Sequence, residues 1–342
     1  MRTILERELR MRSPARLQSL LKLTAGLLGA LFFAACGAPR QDSADAAADK
    51  PFKVVTTFLP ITLFSRAVAG DCATVTPLIP ASTGPHDFQA KPGDLTALRQ
   101  ARVLVKNGLE MESFLDKLVA SAGNPQLKMI DSSRGVPTLS SDHYDAAQGA
   151  AEGANQSQGQ VHGHGHDHGA VNPHIWLDPL RAVQQVETIR DGLVKADPSC
   201  AEGYRRNAAA YIAELKRLNS EIAAQLQPYR GKTFVAFHDF APYFAQRYGL
   251  KAEYMLDVPE LNPSPLDLQR VAAAVKGSQL KALVSEPQEG NRSFNALARD
   301  LGVKIVAFDP LETASEQASR DPATYLALMR RNATDLRQAF GQ

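Results

Sequence analysis

Short apolar runs rich in β-branched residues recur along this chain. Longer stretches separate them, with apolar positions returning every three or four residues. The first runs are KVVTTF (53–58), ATVTPLI (73–79), ARVLVKN (101–107) and LKMID (127–131). After a long interval come KTFVAFH (232–238), KAEYML (251–256), KALVSEP (281–287) and VKIVAFD (303–309). Continuous apolar runs between helical patterns predict parallel strands covered on both faces. The chain is therefore expected to be α/β, with two lobes, each a four-stranded, mainly parallel sheet flanked by helices.

Three helices stand out between the runs. In LEMESFLDKLVASAG, Leu109, Phe114, Leu115 and Leu118 share one side, and Gly123 is placed to end the helix. Asp178 caps and Pro179 opens a helix running to about Ala196. Tyr204, Ala208, Tyr211, Leu215, Leu218, Ile222 and Leu226 then form one stripe at helical spacing. From 204 to 228 that helix would span roughly 37 Å. Lying between the two sets of strands, it is expected to join the lobes as a rigid strut or, in its outer half, to be an ordinary packed helix of the first lobe. The predicted organisation is a first lobe at 51–200, a linking helix at 201–229 and a second lobe at 230–342. Residues 140–171, made almost entirely of small and polar residues and histidine, form an insert in the first lobe. A loop of that length in a compact domain is functional or disordered.

The N-terminus departs from this rhythm. Arg2, Arg7, Arg10, Arg12, Arg16 and Lys22 precede an apolar stretch, Leu23 to Ala35, which fits the core of an export signal at 1–35. The basic segment before it is long, and Met11 offers a second start. The stretch ends in FFAAC, which admits lipid attachment at Cys36 or a plain signal-peptidase cut near Ala35. Residues 36–50, GAPRQDSADAAADK with its leading cysteine, read as a flexible tether. The expected location is the periplasm or the outer face of the cytoplasmic membrane, with membrane contact only through Cys36.

Composition narrows the function classes. The 342 residues are 44% apolar and 22% charged, ordinary for a globular protein. The formal net charge is +2, and the first 35 residues alone carry +4, leaving −2 for the rest. Nothing in that balance points to nucleic acid. Outside the cytoplasm Cys72 and Cys200 have the choice of pairing or standing free, which spacing alone does not decide.

Histidine carries the chemistry. His162, His164, His166 and His168 crowd one tract among glycines, where no fixed geometry is set. They are expected to collect zinc, copper or nickel weakly, or to be merely a solvated loop. His143 lies in the same insert. Three further histidines are isolated. His86 follows the second strand in STGPHDFQAKPGDL, His174 precedes a capped helix in NPHIWLDP, and His238 ends the fifth strand in FVAFHDFAPYF. Asp309 ends the last strand in IVAFDPL. Ligands in open α/β sheets bind beyond the carboxyl ends of strands. Three imidazoles and a carboxylate there suit a tetrahedral zinc site.

These segments, with LVKNGLEMESFLDKL and VSEPQ, resemble the zinc- and manganese-binding solute-binding proteins of bacterial ABC importers (the ZnuA/TroA type, cluster A-I). The resemblance covers nearly all of 52–340, with its motifs in order. It implies a metal site in the cleft between the lobes, with His86 and His174 from the first lobe and His238 and Asp309 from the second. Glu286 and water are alternatives to Asp309. Nitrogen-rich donors favour Zn2+ over the alternative, Mn2+. The resemblance implies capture and delivery of Zn2+ to a membrane permease by a monomeric binding protein, not an enzyme. Alternatives are a manganese-binding protein or adhesin lipoprotein of the same fold, or a zinc hydrolase. The last lacks H-E-x-x-H and an obvious second carboxylate as base. Affinity is expected to fall below about pH 6.5, where imidazoles take up protons. Trp176 is expected to pack beneath the site. Asp178 is expected to serve as a helix cap. Asp87 and Asp239 are each expected to act as a cap or as a hydrogen-bond partner of a ligand histidine.

Overall fold

The computed structural model describes residues 52–86, 88–140, 171–256, 263–278, 282–286 and 292–341. The expected export signal, Cys36 and the tether lie outside the described residues. So do Asp87 and the segment bearing His143, His162, His164, His166 and His168.

The eight apolar runs form eight strands. β1 (Lys53–Thr56), β2 (Thr74–Pro77), β3 (Val103–Lys106) and β4 (Lys128–Asp131) make one sheet in the order β2-β1-β3-β4. β5 (Thr233–His238), β6 (Lys251–Leu256), β7 (Ala282–Ser285) and β8 (Lys304–Ala307) make a second, in the order β6-β5-β7-β8. Every pairing is parallel. The expected α/β class with two four-stranded sheets is therefore what the chain adopts.

Side-chain alternation explains why these runs are apolar throughout. In β1, Val54 points into one buried cluster and Val55 into another across the sheet, where Leu98 and Leu118 lie. In β5, Phe234 and Ala236 face one way, Val235 and Phe237 the other. Both faces are buried at the inner strands β1, β3, β5 and β7, so neither can be polar there, whereas the edge strands β2, β4, β6 and β8 are partly exposed. The cluster holding Val54 also holds Phe234, Ala236, Val284 and Phe308. One apolar core thus runs from the first sheet to the second, within the single unit Lys50–Gln342.

Two long helices fill that shared core. Helix Pro179–Ala196 starts where Asp178 accepts a hydrogen bond from Leu180 N at 2.9 Å. Helix Ala201–Leu226 buries its whole predicted stripe from Tyr204 to Leu226. It is packed along its length against Pro179–Ala196 and against the last helix, Ala323–Phe340.

One predicted helix is shorter than expected. Apolar spacing extended it from Leu109 to Gly123, but it spans Leu115–Ala122. Leu109 and Glu110 adopt left-handed backbone angles (φ 56° and 63°), which no right-handed helix allows. Gly123 closes the helix in the left-handed conformation, as its position predicts.

Cys72 and Cys200 are joined in a disulfide, with Cα atoms 5.9 Å apart. It pins the start of helix Ala201–Leu226 to the turn after the first helix, Leu59–Ala69. Gly203 makes room for it, since a Cβ there would stand 2.5 Å from Cys72 Sγ. The bridge spans 128 residues of sequence. Closing so long a loop limits the unfolded chain, so replacing both cysteines by serine is expected to cost about 2–4 kcal/mol. Urea unfolding measures this. A loss below about 1 kcal/mol would mean the bridge hardly restrains the unfolded ensemble.

Candidate metal centre

Three histidines distant in sequence meet in one place. His86 comes from the loop after β2. His174 immediately precedes the 3-10 turn Ile175–Leu177, which leads into helix Pro179–Ala196. His238 is the last residue of β5. Their ring centroids lie 6.2 Å (His86–His174), 5.9 Å (His86–His238) and 5.3 Å (His174–His238) apart. The fourth group in the cluster is Glu312, and one donor atom from each of the four lies within 4.8 Å of every other.

The separations are informative. Glu312 Oε1 lies 3.4 Å from His174 Nε2, 3.7 Å from His86 Nε2 and 3.8 Å from His238 Nε2. Those distances are long for N–H···O bonds, which cluster near 2.9 Å. Donors each about 2.0–2.1 Å from a tetrahedral zinc stand about 3.3–3.4 Å from one another. The cluster is slightly wider than that shell and needs only small side-chain shifts to close on an ion. It is also largely enclosed, for His174 and His238 are fully buried, Glu312 nearly so and His86 only partly exposed.

Neighbouring groups aim the imidazoles. His174 Nδ1 lies 3.1 Å from Asn172 Oδ1, and Asn172 Nδ2 donates to both Asp239 O and Asp239 Oδ2 at 2.8 Å. Asn172 therefore presents an acceptor to His174. Nδ1 carries the proton, and the Nε2 lone pair points into the cluster. His238 Nδ1 lies 2.5 Å from Glu286 Oε1, which sets the same tautomer. Trp176 is fully buried, with its ring 5.0 Å from that of His174, and its Nε1 donates to Pro310 O across the cleft at 2.8 Å. It is the expected packing residue and also a tie between the two sheets' loops. Asp239 is held by Asn172, and the helix it was expected to cap begins later, at Pro242.

The ionisation of the cluster is uneven. Burial lowers the pKa of His174 to about 4, so it is neutral and ready to ligate at pH 7. Burial also disfavours charge on His238, but Glu286 and Glu312 outweigh it and raise the pKa to about 10. Burial opposes charge on Glu312, yet the facing imidazoles, His86 foremost, hold it ionised well below the usual carboxylate range. Two carboxylates, three neutral imidazoles and a divalent cation sum to zero charge, which suits a site cut off from water.

Asp309, the carboxylate expected from the strand-end pattern, is not in this cluster. β8 ends at Ala307, and Asp309 is used to build the turn after it. Its Oδ1 accepts from Leu311 N at 2.8 Å, and its backbone N–H and C=O pair with the side chain of Asn332. Leu311 is left-handed (φ 64°), and the reversal carries Glu312 into the cleft. Ala314 N then bonds Ala81 O at 2.7 Å, fastening this loop to the one bearing His86. The visible clue was a second carboxylate three residues beyond Asp309. Glu286, held in reserve as a ligand, instead supports His238.

The model of the family described as zinc-uptake complex component A, periplasmic (ZnuA) matches residues 54–339. The zinc-binding lipoprotein AdcA of Streptococcus pneumoniae is 31% identical over 94% of this chain and 61% of its own length. This chain thus spans about three-fifths of that relative. The high-affinity zinc uptake system protein ZnuA of Bacillus subtilis is 30% identical over 91% of this chain and 94% of its own. Among solved structures, the Zn(II)-bound ZnuA-like domain of S. pneumoniae AdcA superposes with a TM-score of 0.68 at 29% identity. That match covers 85% of this chain and 100% of the other.

Proposed function

This chain belongs to the zinc-uptake complex component A family, and from that membership we propose that it captures Zn2+ and delivers it to the permease of an ABC importer. The observation that carries this reading is the buried cluster of His86, His174, His238 and Glu312. Three nitrogens and one oxygen fill a tetrahedral shell of the zinc type, whereas a manganese site would be richer in oxygen. A shell filled by the protein suits carriage, since activating a water would need an open position. The first-lobe pair, His86 and His174, and the second-lobe pair, His238 and Glu312, meet in one cluster, so bound metal would tie the lobes together. A disulfide between Cys72 and Cys200 fits an oxidising, extracytoplasmic setting. No helix among the described residues is long and apolar enough to cross a membrane.

The test is calorimetric titration of metal-free protein with Zn2+ and with Mn2+ in buffers of differing ionisation enthalpy. One tight zinc per chain is expected within the cleft, with much weaker manganese. Close to one proton should leave on loading at pH 7. The sign follows from His238, which holds a proton in the free site because its pKa is raised to about 10, and must lose it from Nε2 to ligate. Apparent affinity should therefore rise about tenfold per pH unit through the neutral range. That slope would extend above the threshold of about 6.5 expected from ordinary imidazoles. Tighter manganese than zinc, or no proton release, would overturn the reading.

A further inference from the structure

β3 ends at Lys106 and the chain enters a turn that few sequences tolerate. Gly108, Leu109 and Glu110 are all left-handed, at φ 88°, 56° and 63°. Glycine is required at the first, where a Cβ would stand 2.3 Å from Asp131 Oδ1. Residues with a Cβ disfavour this region, and two in succession persist only where surroundings enforce them.

Glu112 is what enforces the turn. It is 7% exposed, and its carboxylate accepts three hydrogen bonds. Thr57 Oγ1 and Asn107 N donate to Oε1 at 2.7 Å, and Gly108 N donates to Oε2 at 3.0 Å. The turn in turn grips both neighbours of His174. Asn107 Nδ2 donates to Pro173 O at 3.1 Å, while Gln185 Nε2 fixes Asn107 Oδ1 at the same distance. Leu109 packs on the small cluster of Val136, Ile175 and Tyr243. The three hydrogen bonds of Glu112 all go to residues other than the four proposed ligands.

We propose that Glu112 is a positioning residue for the metal centre, clamping the left-handed turn so that Asn107 and Leu109 hold Pro173 and Ile175, and with them His174, in place before metal arrives. This rests on the reading of the cleft as a zinc site. Burial raises the Glu112 carboxyl to about 6, which leaves it ionised at neutral pH and able to serve all three donors.

Glu112→Gln is the direct test. The amide oxygen still serves Thr57 and Asn107, but its NH2 meets Gly108 N–H donor to donor. Zinc affinity, measured against a competing chelator far below the melting temperature, is expected to fall about 10–100-fold, the cost of losing a residue that orients a ligand. The Co2+ ligand-field spectrum should change with it. Gly203→Ala, which crowds the disulfide, serves as a control that lowers stability without touching this path. Its affinity should match the parent's. Asn107→Asp, which loses the donor to Pro173 O, should reproduce the loss, and the double variant should lose no more than the worse single one. If Glu112→Gln does not fold, Asn107→Asp decides alone. Parent-like affinity and spectrum in the variants would overturn the inference while the parent still binds zinc. Failure of the parent to bind zinc would instead overturn the function it rests on.

Discussion

Replacing His174 or His238 by alanine is expected to lower zinc affinity by roughly two orders of magnitude or more. A closed protein zinc site is worth about 10–16 kcal/mol, so one of four ligands carries about 3 kcal/mol, or over a hundredfold. His238→Ala removes a second thing as well, because Glu286 Oε1 then loses the imidazole 2.5 Å away and its negative charge stays buried. Glu312→Gln should fall in the same range, since it removes the anionic donor that faces all three imidazoles. Asp309→Asn keeps the acceptor for Leu311 N and should leave affinity close to the parent's. Chelator-competition titrations of the four variants decide the matter. A large loss in Asp309→Asn together with an unaffected Glu312→Gln would return the fourth position to Asp309.

The largest effect on stability is expected from Asp178→Ala. Asp178 is completely buried, and its two oxygens accept from Leu180 N, Arg181 Nη1, Arg247 Nε and Arg247 Nη2. Arg181 comes from the helix that Asp178 caps, whereas Arg247 comes from Pro242–Tyr248, beside the second sheet. The sequence marked Asp178 as a cap, worth about 1 kcal/mol. In the fold it is also the counter-charge of two arginines from different lobes. Removing one partner of a buried ion pair strands the other and costs about 3–5 kcal/mol. Urea unfolding of metal-free protein should show a loss of that order. A loss below about 1 kcal/mol would mean that Arg181 finds water or another anion in the native state.

The ligand variants and Asp178→Ala probe different parts of the same cleft. In the proposed site the histidines and Glu312 would hold the ion. The ties of Asp178 to Arg247, Trp176 to Pro310 and Ala314 to Ala81 hold the two sets of loops at the spacing those ligands need. With one apolar core passing through both sheets, the cleft has little freedom to swing. On the proposed function, release would then need only a small displacement at the site.

Much of this was legible in the chain. Strand runs such as KVVT and TFVAFH had to be apolar on both faces because helices cover both sides of each sheet, and that pattern is local. The Asp178-Pro179 helix start and the Tyr204–Leu226 stripe are local too, set by capping chemistry and by the 3.6-residue period. His86, His174 and His238 were singled out by their places at strand ends and beside prolines, and the fold brings those three together. What periodicity could not reveal were the backbone reversals. Leu109 and Glu110 match a helical apolar pattern yet are left-handed, because Glu112 collects the amides of Asn107 and Gly108. Leu311 reverses the chain beyond β8 and brings Glu312 beside the three histidines, while Asp309 builds the turn. The Cys72–Cys200 bond and the pairing of Asp178 with Arg247 likewise depend on which surfaces meet. Hydrophobic period and capping act within a few residues, so sequence determined the elements and nominated the histidines. Left-handed turns, buried ion pairs and the fourth donor arise from contacts between segments far apart in the chain, and only the packed structure decided them.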